Sequence, residues 1–435
     1  MIRSKAATRG GVGVALIAAL AITAGAPLAA SPPESRPDDT PRSAHDRVCW
    51  EWSVPDGDAG APPLPPPNAP AHVRDRFNAA FADLCLGLNQ FQVIGTHNSY
   101  HLQPQEPLWS ALLAFSDEFL DWEYSHSPLA EQFSDEGVRQ IELDVFYDPE
   151  GGRYADRVVM DLFGLPRDPG IPELHEPGYK VLHVQELDFE TTCYTLESCL
   201  QEVREWSDAH PGHLPIAILV ELKDAVIPDP LDLGFVEPLP IGPDALDELD
   251  AEIRSVFSDD RIILPDDVRG DSPTLEEAVL NGGWPSLAEA RGKLMFLMDN
   301  AGQKRIDYIA GRPNLEDRVL FTNSTPGQPD AAFVKHNDPR GANVAQIQDM
   351  VRDGYVVRTR ADVPTFEART GDTTRREAAL ASGAQWVSTD YPVPGRAEPL
   401  GSDYFAAIPD GDPARCNPVN TGPRCVNDAL EPGVP

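Results

Sequence analysis

The stretch Val138-Arg139-Gln140-Ile141-Glu142-Leu143-Asp144-Val145-Phe146 places two carboxylates inside an otherwise apolar, β-prone run. In a strand, residues two apart point to the same side, so Glu142 and Asp144 share one face and Leu143 takes the other. Two like charges side by side in an interior are costly unless a cation neutralises them. The competing reading is an exposed acidic edge, which so acidic a chain can carry; the apolar surroundings favour a metal.

Similar runs recur on both sides: Phe91 to Gly95, Tyr179 to Val184, Ile216 to Leu222, Lys293 to Met298, either Val319 to Phe321 or Ala331 to Val334, Tyr355 to Arg358, and Trp386 to Thr389. Helical patterns alternate with them, which is the signature of βαβ units and a parallel sheet. One helix is readable at Thr195 to Ala209, with Thr195 as N-cap and Leu196, Leu200 and Val203 at helical spacing. The count is about eight, as a closed (β/α) barrel requires. The expected fold is therefore α/β, a TIM-like (β/α)8 barrel, with long insertions after the first two strands at 99–137 and 147–178. These insertions shape the entrance to a site.

The chain ends differ in composition from this region. Arg3, Lys5 and Arg9 precede an apolar stretch from Val12 to about Thr23, the pattern of a signal peptide, and the cut is expected between Ala26 and Ala30. That stretch is shorter than the roughly 20 residues of a membrane span. The expected layout is a signal peptide at 1–30, a Pro-rich leader at 31–75, the barrel at 76–399 and a disulfide-bearing tail at 400–435, in a secreted monomer. Six cysteines, Cys49, Cys85, Cys193, Cys199, Cys416 and Cys425, suit disulfides in an exported chain. The short separations predict Cys193 with Cys199 and Cys416 with Cys425, leaving Cys49 with Cys85.

The net charge is −35, and losing the three positive residues of 1–30 makes it −38. Such a surface excludes nucleic acid as a partner, which wants a basic face. An anionic substrate then needs a local cation.

In parallel barrels the side chains that act on substrate stand at the C-terminal ends of strands. His97 and Asn98 end the first run, Glu142 and Asp144 lie toward the end of the second, His183 ends the third, and Glu221 with Lys223 ends the fourth. Glu221 is a metal-ligand candidate and Lys223 a phosphate-binding one, against the alternative that the two form a plain salt bridge. His97 and His183 suit proton transfer near neutral pH, since displacement at phosphorus needs one group to take a proton and one to give it. His101, His126, His175, His210 and His213 read as surface or structural. Asn98, Glu142, Asp144 and Glu221 form an all-oxygen set suited to Ca²⁺, with Mg²⁺ second, and unlike a zinc site.

The motifs Gly95-Thr96-His97-Asn98-Ser99-Tyr100, Ile141-Glu142-Leu143-Asp144-Val145, Leu182-His183 and Val220-Glu221-Leu222-Lys223 resemble the phosphatidylinositol-specific phospholipase C superfamily, and within it the secreted bacterial Ca²⁺-dependent group. The likeness runs from about Phe91 to Pro392 and takes in Val357-Arg358-Thr359-Arg360-Ala361-Asp362 and Ser388-Thr389-Asp390-Tyr391-Pro392. It implies Ca²⁺ held by Asn98, Glu142, Asp144 and Glu221, acid-base work by His97 and His183, and attack of an inositol hydroxyl on the neighbouring phosphodiester. Diacylglycerol and a cyclic inositol phosphate would be the products. Arg358 and Arg360 meet inositol phosphate or close structural ion pairs. No membrane-binding helix stands out, although a phospholipid substrate implies transient contact with a membrane surface. Two other readings remain: a glycerophosphodiester phosphodiesterase or other headgroup phosphodiesterase of this fold, whose first histidine is normally followed by Arg-Gly rather than Asn98-Ser99, and a non-catalytic Ca²⁺- or sugar-binding barrel.

Overall fold

The computed structural model describes residues 68–409 and 413–431. The expected signal peptide, most of the leader and Cys49 lie outside the described residues. The strands in chain order are β1 (Phe91–Thr96), β2 (Gln140–Phe146), β3 (Lys180–Val181), β4 (Ile216–Leu222), β5 (Leu294–Met298), β6 (Leu320–Thr322), β7 (Phe333–Lys335), β8 (Val356–Arg360), β9 (Trp386–Thr389) and β10 (Ala414–Cys416).

A strand covered on both faces is apolar along its whole length rather than alternating. Leu294-Met295-Phe296-Leu297-Met298 of β5 and Ile216 to Val220 of β4 show this, every residue being buried. Leaving β3 and β10 aside, each strand pairs in parallel with the next in the chain, and β9 returns to β1 through Val93–Trp386 to Thr96–Thr389. The seam between β6 and β7 is a single parallel bridge, Asn323–Phe333. Asn323 reinforces it by accepting from the backbone of Lys335 at 3.1 Å. The result is a parallel eight-stranded barrel, as expected.

Two strand assignments change. The run at 179–184 does not enter the barrel: β3 pairs antiparallel with the end of β2, through Val145–Val181 and Phe146–Lys180. Its place is taken because Val319 to Phe321 and Ala331 to Val334 both supply strands, where one was expected. A two-residue strand hydrogen-bonded to a barrel strand's end and a true barrel strand leave the same apolar trace in sequence, so composition does not separate them.

The helix Leu196–Ala209 forms as read. Thr195 Oγ1 accepts from Ser198 N at 3.0 Å, and Ser198 Oγ accepts from Thr195 N at 3.2 Å, closing a capping box. Leu196, Leu200 and Val203 are buried against the barrel. Gly95 is required where β1 meets β2, because a Cβ there would lie 1.9 Å from the Gln140 side chain. Cys193–Cys199 and Cys416–Cys425 are disulfides as expected. Cys85 is also disulfide-bonded.

The chain's end closes the N-terminal face of the barrel. β10 pairs antiparallel with Phe91 to Val93 at the start of β1. Beyond it, Glu431 accepts from the fully buried Arg139 guanidinium, with Nε–Oε2 2.9 Å and Nη2–Oε1 2.8 Å. Arg139 also donates to the carbonyls of Phe133 and Val138 and lies 5.1 Å over the Trp206 ring.

His213, on the same face, is a structural histidine as expected. It is buried, donates from Nδ1 to the Leu214 carbonyl and accepts the Ser207 hydroxyl at Nε2, 2.7 Å away. Burial pushes it down to about 4, against the pull of the Leu214 carbonyl. A group whose folded value is depressed stabilises the fold above its unfolded value, near 6.5, and loses that contribution as pH falls toward the folded value. The loss between pH 6.5 and 4 amounts to about 3 kcal/mol. A His213→Gln variant is expected to lose less stability than wild type between pH 7.5 and 4 in urea melts. Parallel pH profiles for the two proteins would refute this.

Candidate active site

Parallel pairing of β2 with β4 sets Asp144 beside Glu221 in register, with Glu142 two residues earlier on the same face. One carboxylate oxygen from each of the three lies within 4.8 Å of the others. Burial raises Asp144 well above the usual carboxylate range, against the pull of Lys223, and Glu221 and Glu142 add to the rise. Burial pushes Glu142 up to about 7, against the pull of Arg358. For Glu221 burial works the same way, but the charges of Lys223 and Lys335 outweigh it and hold the carboxyl low.

The expected basic residues surround this cluster. Lys223 Nζ is 3.1 Å from Asp144 Oδ2 and 3.3 Å from Glu221 Oε1. Arg358 Nη2 pairs with Glu142 Oε2, while its Nε donates to Ser388 Oγ at 2.9 Å and its Nη1 to Asn337 Oδ1 at 2.6 Å. Arg360 Nη2 donates to Asp390 Oδ2 at 2.9 Å. Both arginines are thus buried in ion pairs, with Glu142 and Asp390 as partners.

His97 follows β1, and its Nδ1 donates to Asp390 Oδ1 at 3.0 Å. Burial, with the charge of Arg360, pushes His97 down to about 3 despite the opposing pull of Asp390. Burial acts to raise Asp390, but the charges of His97 and Arg360 overcome it and hold the carboxyl well below its usual range. His183 comes from the turn after β3, not from a barrel strand, and its Nδ1 donates to Asp188 Oδ2 at 2.7 Å. Burial lowers His183 against the pull of Asp188. Both imidazoles lie close enough to Glu221 for their charge to act on its carboxyl.

Asp188 and Tyr124 were not singled out in the sequence, and Asp390 was noted only within a motif. Asp390 had a signal, since it ends an apolar strand just as His97 does. Asp188 had none: its place depends on a tight turn in which Val184 and Asp188 exchange backbone hydrogen bonds of 2.8 and 2.9 Å. His101 is wholly buried, with Nε2 2.9 Å from Asp188 Oδ2 and Nδ1 3.1 Å from the Tyr124 carbonyl. Tyr124 stacks on His101 with ring centroids 4.2 Å apart, and its hydroxyl accepts from Asn98 Nδ2 at 3.1 Å. His126 Nε2 donates to the His97 carbonyl at 2.9 Å. His101 and His126 are therefore parts of the site's framework, whereas His175 is on the surface with Asp168.

Residues 86–418, more than half of the chain, match the family described as phosphoinositide phospholipase C, Ca²⁺-dependent. The chain belongs to this family. Among solved structures it is similar to a Ca²⁺-dependent phosphatidylinositol-specific phospholipase C from Streptomyces antibioticus, 19% identical over 70% of this chain and 95% of that one, with a TM-score of 0.43. It is also similar to a calcium-dependent phosphoinositol-specific phospholipase C from a Pseudomonas species, 14% identical over 77% of this chain and 96% of that one, with a TM-score of 0.46. No curated protein matches the sequence. No helix among the described residues is long and apolar enough to cross a membrane.

Membership in this phospholipase C family implies Ca²⁺, and the residues present fit it. Asn98 Oδ1 and Asp144 Oδ1 are buried and have no hydrogen-bond partner, an expensive state unless something binds them. The three clustered carboxylates are hard oxygen donors of the kind Ca²⁺ takes.

Proposed function

We propose that the protein is a secreted Ca²⁺-dependent phospholipase C that cleaves phosphatidylinositol to diacylglycerol and a cyclic inositol phosphate, with His97 and His183 transferring the protons. The observation that carries this reading is a pair of partly exposed imidazoles, each with Nδ1 held by a buried aspartate, beside a cluster of three carboxylates. A protein that only bound Ca²⁺ or a sugar would have no use for two aspartate-backed histidines.

With Nδ1–H donated to its aspartate, each histidine presents Nε2 to substrate. His97, beside two arginine cations, resists becoming positive, which suits a base that is neutral at rest. Its Nε2 takes the proton of the inositol hydroxyl next to the phosphodiester. That oxygen bonds to phosphorus, and the bond from phosphorus to the glycerol oxygen breaks. His183, held at Nδ1 by Asp188, delivers a proton from Nε2 to the departing glycerol oxygen. Asn98, Glu142, Asp144 and Glu221 would hold Ca²⁺, which supplies charge balance at the phosphoryl oxygens and a lower pKa for the hydroxyl. Lys223 contributes a cation for a phosphoryl oxygen. Arg358 and Arg360 hold Glu142 and Asp390 in place and add positive charge to the floor of the site.

Phosphatidylinositol vesicles incubated with the enzyme are expected to yield cyclic inositol phosphate, and EDTA should abolish it. Glycerol phosphate from a soluble diester instead would shift the assignment to a glycerophosphodiesterase. An absence of product from any diester would end the enzymatic reading.

A further inference from the structure

We infer that Tyr124, on the insertion after β1, is a positioning residue that aims the Asn98 carboxamide at the Ca²⁺ site and ties that site to the residues holding both histidines. The inference rests on the metal reading above.

Asn98 is 1% exposed and adopts φ 43°, a left-handed conformation that Asn tolerates better than most residues. Its backbone is thus committed to the turn after β1, where Ser99 N donates to the Glu142 carbonyl at 2.9 Å. The direction of the carboxamide is a separate matter, because its terminal torsion is soft and broadly populated. The Tyr124 hydroxyl settles it. By accepting from Nδ2 at 3.1 Å it occupies the donor end and leaves Oδ1, the only end that can bind a cation, bare and buried.

The same tyrosine reaches the histidines by two other routes. Its carbonyl accepts from His101 Nδ1 at 3.1 Å and its ring stacks on that imidazole, while His101 Nε2 holds the Asp188 carboxylate that in turn holds His183. Two residues on, His126 Nε2 donates to the His97 carbonyl and lies 3.8 Å from Asp390 Oδ1. The rings of His97 and Tyr124 are 6.2 Å apart, and those of His101 and His183 are 5.6 Å apart. The segment Tyr124-Ser125-His126 therefore braces a metal ligand and both acid-base groups from one side. Outer residues that orient metal ligands typically change affinity by about 10- to 100-fold when removed.

The test titrates EDTA-stripped protein with Ca²⁺ by calorimetry. Tyr124→Phe keeps the ring on His101 and deletes only the hydroxyl. Its Kd is expected to rise by about 10- to 100-fold. Asn98→Ala should raise Kd as well, and adding Tyr124→Phe to Asn98→Ala should change it no further, because the hydroxyl acts through the carboxamide. If a variant is too unstable for titration, its Ca²⁺-induced rise in Tm over its own metal-free melt reports the same affinity. A wild-type Kd in Tyr124→Phe, or effects that multiply in the double variant, would overturn the inference while leaving the metal site intact. Failure of the wild-type protein to bind Ca²⁺ would overturn both.

Discussion

His97→Ala and His183→Ala are each expected to lower turnover of phosphatidylinositol by about 10²- to 10⁴-fold, the usual contribution of a positioned acid or base. Neither change should unfold the protein. In His97→Ala, Asp390 keeps the Arg360 guanidinium at 2.9 Å; in His183→Ala, Asp188 keeps His101 at 2.9 Å. Each buried carboxylate thus retains a partner, which avoids the penalty of an uncompensated charge. Because proton removal and proton donation serve one displacement, the double variant should be little worse than the poorer single one. Initial rates on phosphatidylinositol at saturating Ca²⁺, with melting curves as a fold control, decide the matter. Full activity in both variants would remove the two histidines from the mechanism.

Glu431→Ala is expected to cost about 3–5 kcal/mol of stability, because it leaves Arg139 charged and buried without its counter-ion. The effect arises on the face opposite the catalytic residues, so the site should keep its Ca²⁺ affinity wherever the variant remains folded. Replacing both partners by apolar residues, Arg139→Met with Glu431→Leu, should recover much of the loss, since an apolar pair avoids the desolvation of two charges. Equilibrium urea unfolding of wild type, Arg139→Met, Glu431→Leu and the double variant gives the coupling directly. A Glu431→Ala protein within about 1 kcal/mol of wild type would show that the tail is dispensable, since exposed ion pairs contribute no more than that.

The barrel was legible because its evidence is local. Apolar runs such as Ile216 to Val220 declare a buried parallel strand from composition alone, and Thr195 ahead of Leu196, Leu200 and Val203 declares a helix start. The assignments that changed, at 179–184 and at the pair of runs near 320 and 333, depend on which strand each run meets. Hydrogen bonding to a partner far along the chain is not written in the run itself.

The candidate site divides along the same line. Glu142 and Asp144, two apart in an apolar strand, point to one face whatever the rest of the chain does, and polar residues closing apolar runs marked His97, Glu221 and Lys223. Asp144 stands beside Glu221 only because β2 and β4 pair in that register. Asp188, His101 and Tyr124 carry no mark in their own segments: they matter because the turn after β3 folds back against the insertion after β1. Residue types and strand periodicity are encoded at short range, so the chain alone named the candidate acid-base groups and the candidate metal ligands. Their protonation, partners and aim depend on burial and on charges brought from distant segments, and these exist only once the barrel has closed.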